Sequence, residues 1–148
     1  MGQSAPGRFR HHRSQQRRGL MTRERREQEI RALIDDWTDA ICNGDIKRVL
    51  ENRTDDIVLY DVPEPLQSTG IKAYEATWSL FFDHNPAGPN RFCFRDIQIV
   101  AGEDVAYAFG RLVIGGGDAH CRLTLGLRRV NGEWKVTHEH HSMPIKLG

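Results

Sequence analysis

The chain has 148 residues, 39% hydrophobic and 28% charged, with a formal net charge of +1 at pH 7. That length holds one domain with one core, and no apolar run approaches the roughly 20 residues that a bilayer-spanning helix needs. Cys42, Cys93 and Cys121 are odd in number and far apart, with no Cys-x-x-Cys pair, so neither a disulfide framework nor a zinc knuckle is indicated and a reducing, cytoplasmic setting is expected.

The charge is unevenly placed. Eight of the 21 Lys/Arg residues but one of the 20 Asp/Glu residues precede residue 27, leaving a basic opening and an acidic remainder. Residues 1–22 also hold Gly, Ser, Gln and His, with few large apolar side chains. Such a stretch buries too little surface to offset its ordering entropy, so a disordered basic tail is expected there. No apolar region follows the arginines, including Arg17-Arg18, as a signal peptide or twin-arginine signal would require. Weak, salt-sensitive attraction to nucleic acid is the most that such a tail offers. The start is open between Met1 and Met21. Residues 23–148 form the expected folded domain.

The first regular element is a helix in which Ile30, Leu33, Ile34, Trp37, Ala40 and Ile41 recur at helical spacing. Thr22 is the expected cap, and Asn43-Gly44 the left-handed stop. Asp45 then caps a short second helix carrying Ile46, Val49 and Leu50. Ile57 to Asp61 reads as a short strand ended by Pro63 and Pro65. A third helix follows Gly70, with Ile71, Tyr74, Trp78 and Phe81 in register, and ends near Asp83.

Beyond it the pattern is β. Strands are expected over Phe92 to Val100, Val105 to Ile114, Ala119 to Val130 and Glu133 to Met143, the last two joined by Asn131-Gly132, a strong hairpin signal. Helices first and an antiparallel meander last imply an α+β fold, with helices covering one face of a curved sheet and leaving a cleft at its open end.

The order of motifs is familiar. Trp37-Thr-Asp-Ala-Ile-Cys-Asn43-Gly44-Asp45, then Val58-Leu-Tyr-Asp61-Val-Pro63 and Gly70-Ile71, resembles the N-terminal half of ketosteroid isomerases. Arg122-Leu-Thr124-Leu-Gly126-Leu-Arg-Arg followed by Asn131-Gly132-Glu-Trp134-Lys-Val136-Thr-His138-Glu139-His140-His141-Ser142-Met-Pro144 is similar to SnoaL-like families of the nuclear transport factor superfamily. The resemblance spans everything but the tail. It implies a cone-like fold around a small-molecule pocket, on a scaffold that hosts isomerases, cyclases, hydratases and non-catalytic proteins.

By the same resemblance, Asp61 stands where ketosteroid isomerases keep a general base that removes a proton beside a carbonyl while an oxyanion hole holds the enolate. The hole itself does not carry over. Trp37 occupies the position of the oxyanion tyrosine, and Gly126 that of the protonated aspartic acid. Each lost donor of this kind costs roughly 3–4 kcal/mol of transition-state stabilisation, which argues against steroid isomerisation as such.

Strand alternation puts Trp134, Val136, His138, His140 and Ser142 on one face. Two apolar members point that face inward, so His138 and His140 are expected on the pocket wall as acid or hydrogen-bond donor, beside Ser142. Both also fit the part of buried, hydrogen-bonded residues that shape the cavity without a chemical role. A metal would need Asp61 as third ligand and lacks a downstream carboxylate, so no metal is expected, and no cofactor.

Arg122 and Thr124 read two ways. Periodicity puts Cys121, Leu123, Leu125 and Leu127 inward and those two in water. The family pattern puts Arg122 and Thr124 in the cavity, Arg122 on an anionic or oxygen-rich end, and turns the leucines outward to be covered in a homodimer. The second reading is the expectation carried forward. Trp37 and Trp78 are expected to line the cavity. Gly115-Gly116-Gly117 precedes no helix and so is not a phosphate loop.

Overall fold

The computed structural model describes the backbone from residue 10 and the side chains from residue 22. Residues 1–9 of the expected tail lie outside the described residues. The first helix, α1, spans Arg10–Cys42, so Thr22 lies inside it and does not cap it. No proline stands between residues 10 and 42 to stop a helix from running through. α1 ends where expected, on Gly44 at φ 66°, with the Asp45 N–H returning to the Ala40 carbonyl at 2.9 Å. Asp45 caps α2 (Ile46–Val49) by accepting from the Arg48 N–H.

The strands are β1 (Arg53–Tyr60), β2 (Ser68–Thr69), β3 (Phe92–Ala101), β4 (Val105–Ile114), β5 (Cys121–Val130) and β6 (Glu133–Ser142), with α3 (Ile71–His84) between β2 and β3. They form one unclosed sheet in the order β2-β1-β6-β5-β4-β3. The meander from β3 to β6 is antiparallel, and β1 joins β6 in parallel. Among the described residues no helix is long and apolar enough to cross a membrane.

α1 lies on β3 and α3 on β1. Ile30, Ile34, Trp37, Ala40 and Ile41 of α1 are buried, one stripe at three- and four-residue spacing. They share a core with Leu123, Leu125 and Leu127 of β5. Bulges bend the sheet: an extra residue in one strand kinks it and increases its twist. β3 is bulged between Arg95 and Gln98, with Asp96 at φ 54°. Gly110 on β4 permits this, because a Cβ there would stand 2.5 Å from the Arg95 carbonyl oxygen and 2.9 Å from the Phe94 ring.

A second bulge decides the site. β5 pairs Leu127 with Val136 but Gly126 with His138, leaving Thr137 as an extra residue on β6. Alternation therefore changes phase. Trp134 and Val136 face the core as expected, but beyond the bulge it is Glu139 and His141 that are buried.

Candidate active site

The cavity opens between α3 and the ends of β1, β4, β5 and β6. Its outer part has a volume of about 750 Å³, and Ala73, Ala76, Thr77, Leu80 and Phe81 give it a wall along one face of α3. Val62, Pro63, Pro65, Ile114 and Met143 add apolar surface, and no lysine or arginine lines it. A narrower chamber of about 50 Å³ continues inward, bounded by Leu59, Phe92 and Trp78 among others. Asp61, Thr77, Phe81, Ile114 and His141 border both.

Asp61 follows β1 directly. Leu59 is buried and Tyr60 partly exposed, so alternation carries Asp61 back to the inner side. Its Oδ1 accepts from the Val62 N–H at 2.8 Å, which fixes the carboxylate at the rim of the inner chamber.

Behind it lies a buried polar chain. His141 donates from Nε2 to Oε2 of Glu139 at 2.7 Å, and the other oxygen of Glu139 accepts from the Tyr74 hydroxyl at 2.9 Å. Tyr74 in turn accepts from Nε of Arg53 at 3.1 Å. The Arg53 guanidinium lies 4.0 Å from Glu139 and over the Trp37 ring at 4.8 Å. Arg53, Tyr74 and Glu139 are each buried, so each partner offsets the desolvation of the next.

The electrostatics follow. Burial pushes the His141 imidazolium toward losing its proton. The Glu139 hydrogen bond, the Glu139 charge and the Asp61 charge together outweigh that, and the pKa lies above its ordinary value. Tyr74 is shifted upward, chiefly by burial, so it stays a neutral donor. Cys121 at the cavity wall is also raised, by burial and then by the Asp61 charge, which keeps it a thiol and a poor nucleophile. Asp61 can accept a proton while His141, held by Glu139, can donate one from Nδ1.

Several expected site residues stand elsewhere. His138 and His140 lie on the outward face because of the Thr137 bulge: Nδ1 of His138 donates to the Val58 carbonyl at 2.7 Å, and both rings pack on Tyr60 at 4.8 and 5.2 Å. Ser142 shares that face and accepts from Nε of Arg122 at 3.0 Å. Arg122 and Thr124 are exposed, while Cys121, Leu123, Leu125 and Leu127 are buried. Plain periodicity therefore holds on β5, the family-based orientation does not, and the leucines leave no surface for a partner to cover.

Trp78 borders the inner chamber. Trp37 lies in the core instead, edge-on to Trp78 at 5.7 Å and to Phe92 at 5.4 Å, and lines neither chamber. Asp61 and the His138–His140 pair are on opposite faces of the sheet, so they cannot share a metal.

Sequence reading missed Glu139, His141, Tyr74 and Arg53. The Leu123-x-Leu125-x-Leu127 alternation was a usable signal for the inward face of β5. Nothing in the sequence of β6 marks Thr137 as the bulged residue.

The model of the SnoaL-like domain family matches residues 30–146. Among solved structures, an NTF2-like protein of unknown function from Pseudomonas putida KT2440 is 35% identical with a TM-score of 0.75, over 82% of this chain and 88% of that one. A candidate dehydratase of the NTF2-like family from Streptomyces avermitilis has a TM-score of 0.67 at 12% identity, over 83% and 99%. A candidate ketosteroid isomerase from Parabacteroides distasonis ATCC 8503 has a TM-score of 0.62 at 15% identity, over 78% and 85%. The last two, at such identities, speak for the fold alone. Comparison with curated proteins returned no match.

Proposed function

The chain belongs to the SnoaL-like family of the NTF2-like superfamily, and on that premise we propose that it is a small-molecule pocket protein that moves protons on a neutral, mostly apolar carbonyl compound. The observation that carries this reading is the pairing of Asp61 with His141, backed by Glu139, where the two chambers meet. Asp61 takes a proton from the carbon beside the carbonyl as His141 gives its Nδ1 proton to the carbonyl oxygen. With a β,γ-unsaturated ketone the product of that step is a dienol; Asp61 then returns its proton to the γ-carbon, His141 recovers its own from the oxygen, and the net change is a double bond moved into conjugation with the carbonyl. Tyr74 and Arg53 hold Glu139 in place, and Glu139 accepts the Nε2 proton of the His141 imidazolium, which leaves the Nδ1 proton free to be given to the substrate. No cofactor takes part in these steps.

The test is a turnover screen of β,γ-unsaturated ketones and hydroxyketones with wild type, Asp61→Asn and His141→Gln. General acid–base groups of this kind contribute about 10²–10⁴-fold, and each variant should lose activity on that scale. Ligands that bind tightly without turnover in any form would instead identify a non-catalytic binding module of the same fold.

We also propose a homodimer, now on different residues. Val100 and Tyr107, paired across β3 and β4, are exposed on the outward face with Val105 nearby, an apolar patch suited to a second copy. A sedimentation mass of one chain at micromolar concentration would exclude it. Free Cys42, Cys93 and Cys121 fit the reducing, cytoplasmic setting we propose.

A further inference from the structure

The inner chamber is too small for a substrate body. A single water needs about 10–15 Å³ of such space, so about 50 Å³ admits only the end of a molecule. Most of its polar lining is already engaged: Glu139 by His141 and Tyr74, and Thr77 Oγ1 by the Ala73 carbonyl at 3.1 Å. Two groups remain besides Asp61. One is Nδ1 of His141. The other is the indole N–H of Trp78, a residue only 4% exposed, whose Nε1 is buried without a hydrogen-bond partner among the described residues. Trp37 and Trp134 also carry unpaired buried N–H groups, but neither borders a chamber. Trp78 is locked by rings on several sides, with Phe81 at 5.1 Å and Phe92 at 5.8 Å.

We propose that this chamber is the oxygen subsite of the pocket, with the Trp78 indole N–H as a specificity-determining donor beside His141. The inference rests on the pocket reading above and adds the substrate class: a neutral molecule with a flat or compact apolar body and one terminal carbonyl oxygen, entering oxygen first. The body fills the outer cavity against Leu80 and Phe81. Asp61 and Glu64, with no lysine or arginine in the lining, select against carboxylate and phosphate ends. The donor missing at the isomerase positions is supplied from α3.

The test uses the full chain and three near-isosteric compounds, 2-acetylnaphthalene, 2-ethylnaphthalene and 2-naphthoate, titrated by fluorescence and thermal shift. The ketone should bind roughly three- to tenfold more tightly than the hydrocarbon, the span of one net hydrogen bond, and the acid more weakly than the ketone. Trp78→Phe should cut the ratio of ketone to hydrocarbon affinity about threefold or more, leaving the part that His141 supplies. Should that variant fail to fold, the indole N–H resonance of Trp78 in ¹⁵N-labelled wild type serves instead and should move on adding the ketone and not the hydrocarbon.

Equal binding of ketone and hydrocarbon, a preference undiminished by Trp78→Phe, an indole resonance that does not move, or no binding by any of the three overturns the proposal. An unmoved resonance is also what a permanently held water on Trp78 would give. None of these readings needs turnover. A protein with the ketone preference but no proton-transfer activity would sink the catalytic reading and leave the subsite standing.

Discussion

Glu139 and His141, two residues apart on β6, meet on the inward face of the sheet through a 2.7 Å hydrogen bond, although simple alternation from Trp134 would turn both outward. The bulge at Thr137 makes this possible. It moves a carboxylate and an imidazole into the core and sends His138 and His140 to the surface. One unpaired residue thus decides which half of the His138-Glu139-His140-His141 run can do chemistry.

The pair sets a pH dependence of stability. The His141 pKa is raised in the folded protein, so protonation favours the native state. The stabilisation is complete below the ordinary histidine pKa of about 6.5, and it is lost as pH rises from there through the higher folded value. Melting temperature against pH should fall across that window in wild type and stay flatter in His141→Gln. Superimposable profiles would remove His141 as the titrating group.

Arg53 and Glu139 should behave as a unit. Removing one buried charge leaves the other uncompensated, at a cost of about 3–5 kcal/mol. In urea denaturation Arg53→Met and Glu139→Gln should each destabilise on that scale. The double variant should cost clearly less than the two together, with a coupling of about 0.5–3 kcal/mol. Strict additivity would mean that the two side chains do not act through each other.

Outward-face side chains should be neutral for ligand binding. His138→Ala, His140→Ala and Arg122→Ala are expected to change the affinity for 2-acetylnaphthalene by less than about twofold, as surface substitutions do. Phe81→Ala, on the wall shared by both chambers, should weaken it about tenfold through lost apolar contact. A large loss in any of the three outward variants would return the site to the other face.

Gly110 is a close-approach glycine, and Gly110→Ala should destabilise the fold by about 1–3 kcal/mol, since the added methyl meets the backbone of the β3 bulge. A melting temperature unchanged by this substitution would mean that the bulge relaxes freely.

Much of the architecture was legible. The stripe from Ile30 to Ile41, the Asn43-Gly44 stop, the Asp45 cap and the Asn131-Gly132 hairpin are local signals, each fixed by a few neighbouring residues, and each appears in the structure at its expected place. Asp61 was reachable through the family motif. What could not be read depends on pairing between distant strands. Thr137 is an ordinary β residue whose bulged state is defined only against Leu127 and Gly126 on β5. Tyr74 reads as one more apolar position of α3, and its role emerges only when Arg53 and Glu139, from two other elements, close around its hydroxyl. On β5, the leucine alternation was the better guide than the family pattern, because burial of three leucines outweighs any exposed arginine.

The most direct measurement of proton transfer needs no knowledge of the natural substrate. Small ketones that bind the cavity, incubated in D₂O with the protein, can be followed by NMR for deuterium uptake beside the carbonyl. The account predicts exchange well above the buffer rate in wild type, reduced about 10²–10⁴-fold in Asp61→Asn and also impaired in His141→Gln. Exchange at the buffer rate in wild type with a ketone demonstrably bound, or full exchange in Asp61→Asn, would contradict the assignment of Asp61 and His141 as the acid–base pair.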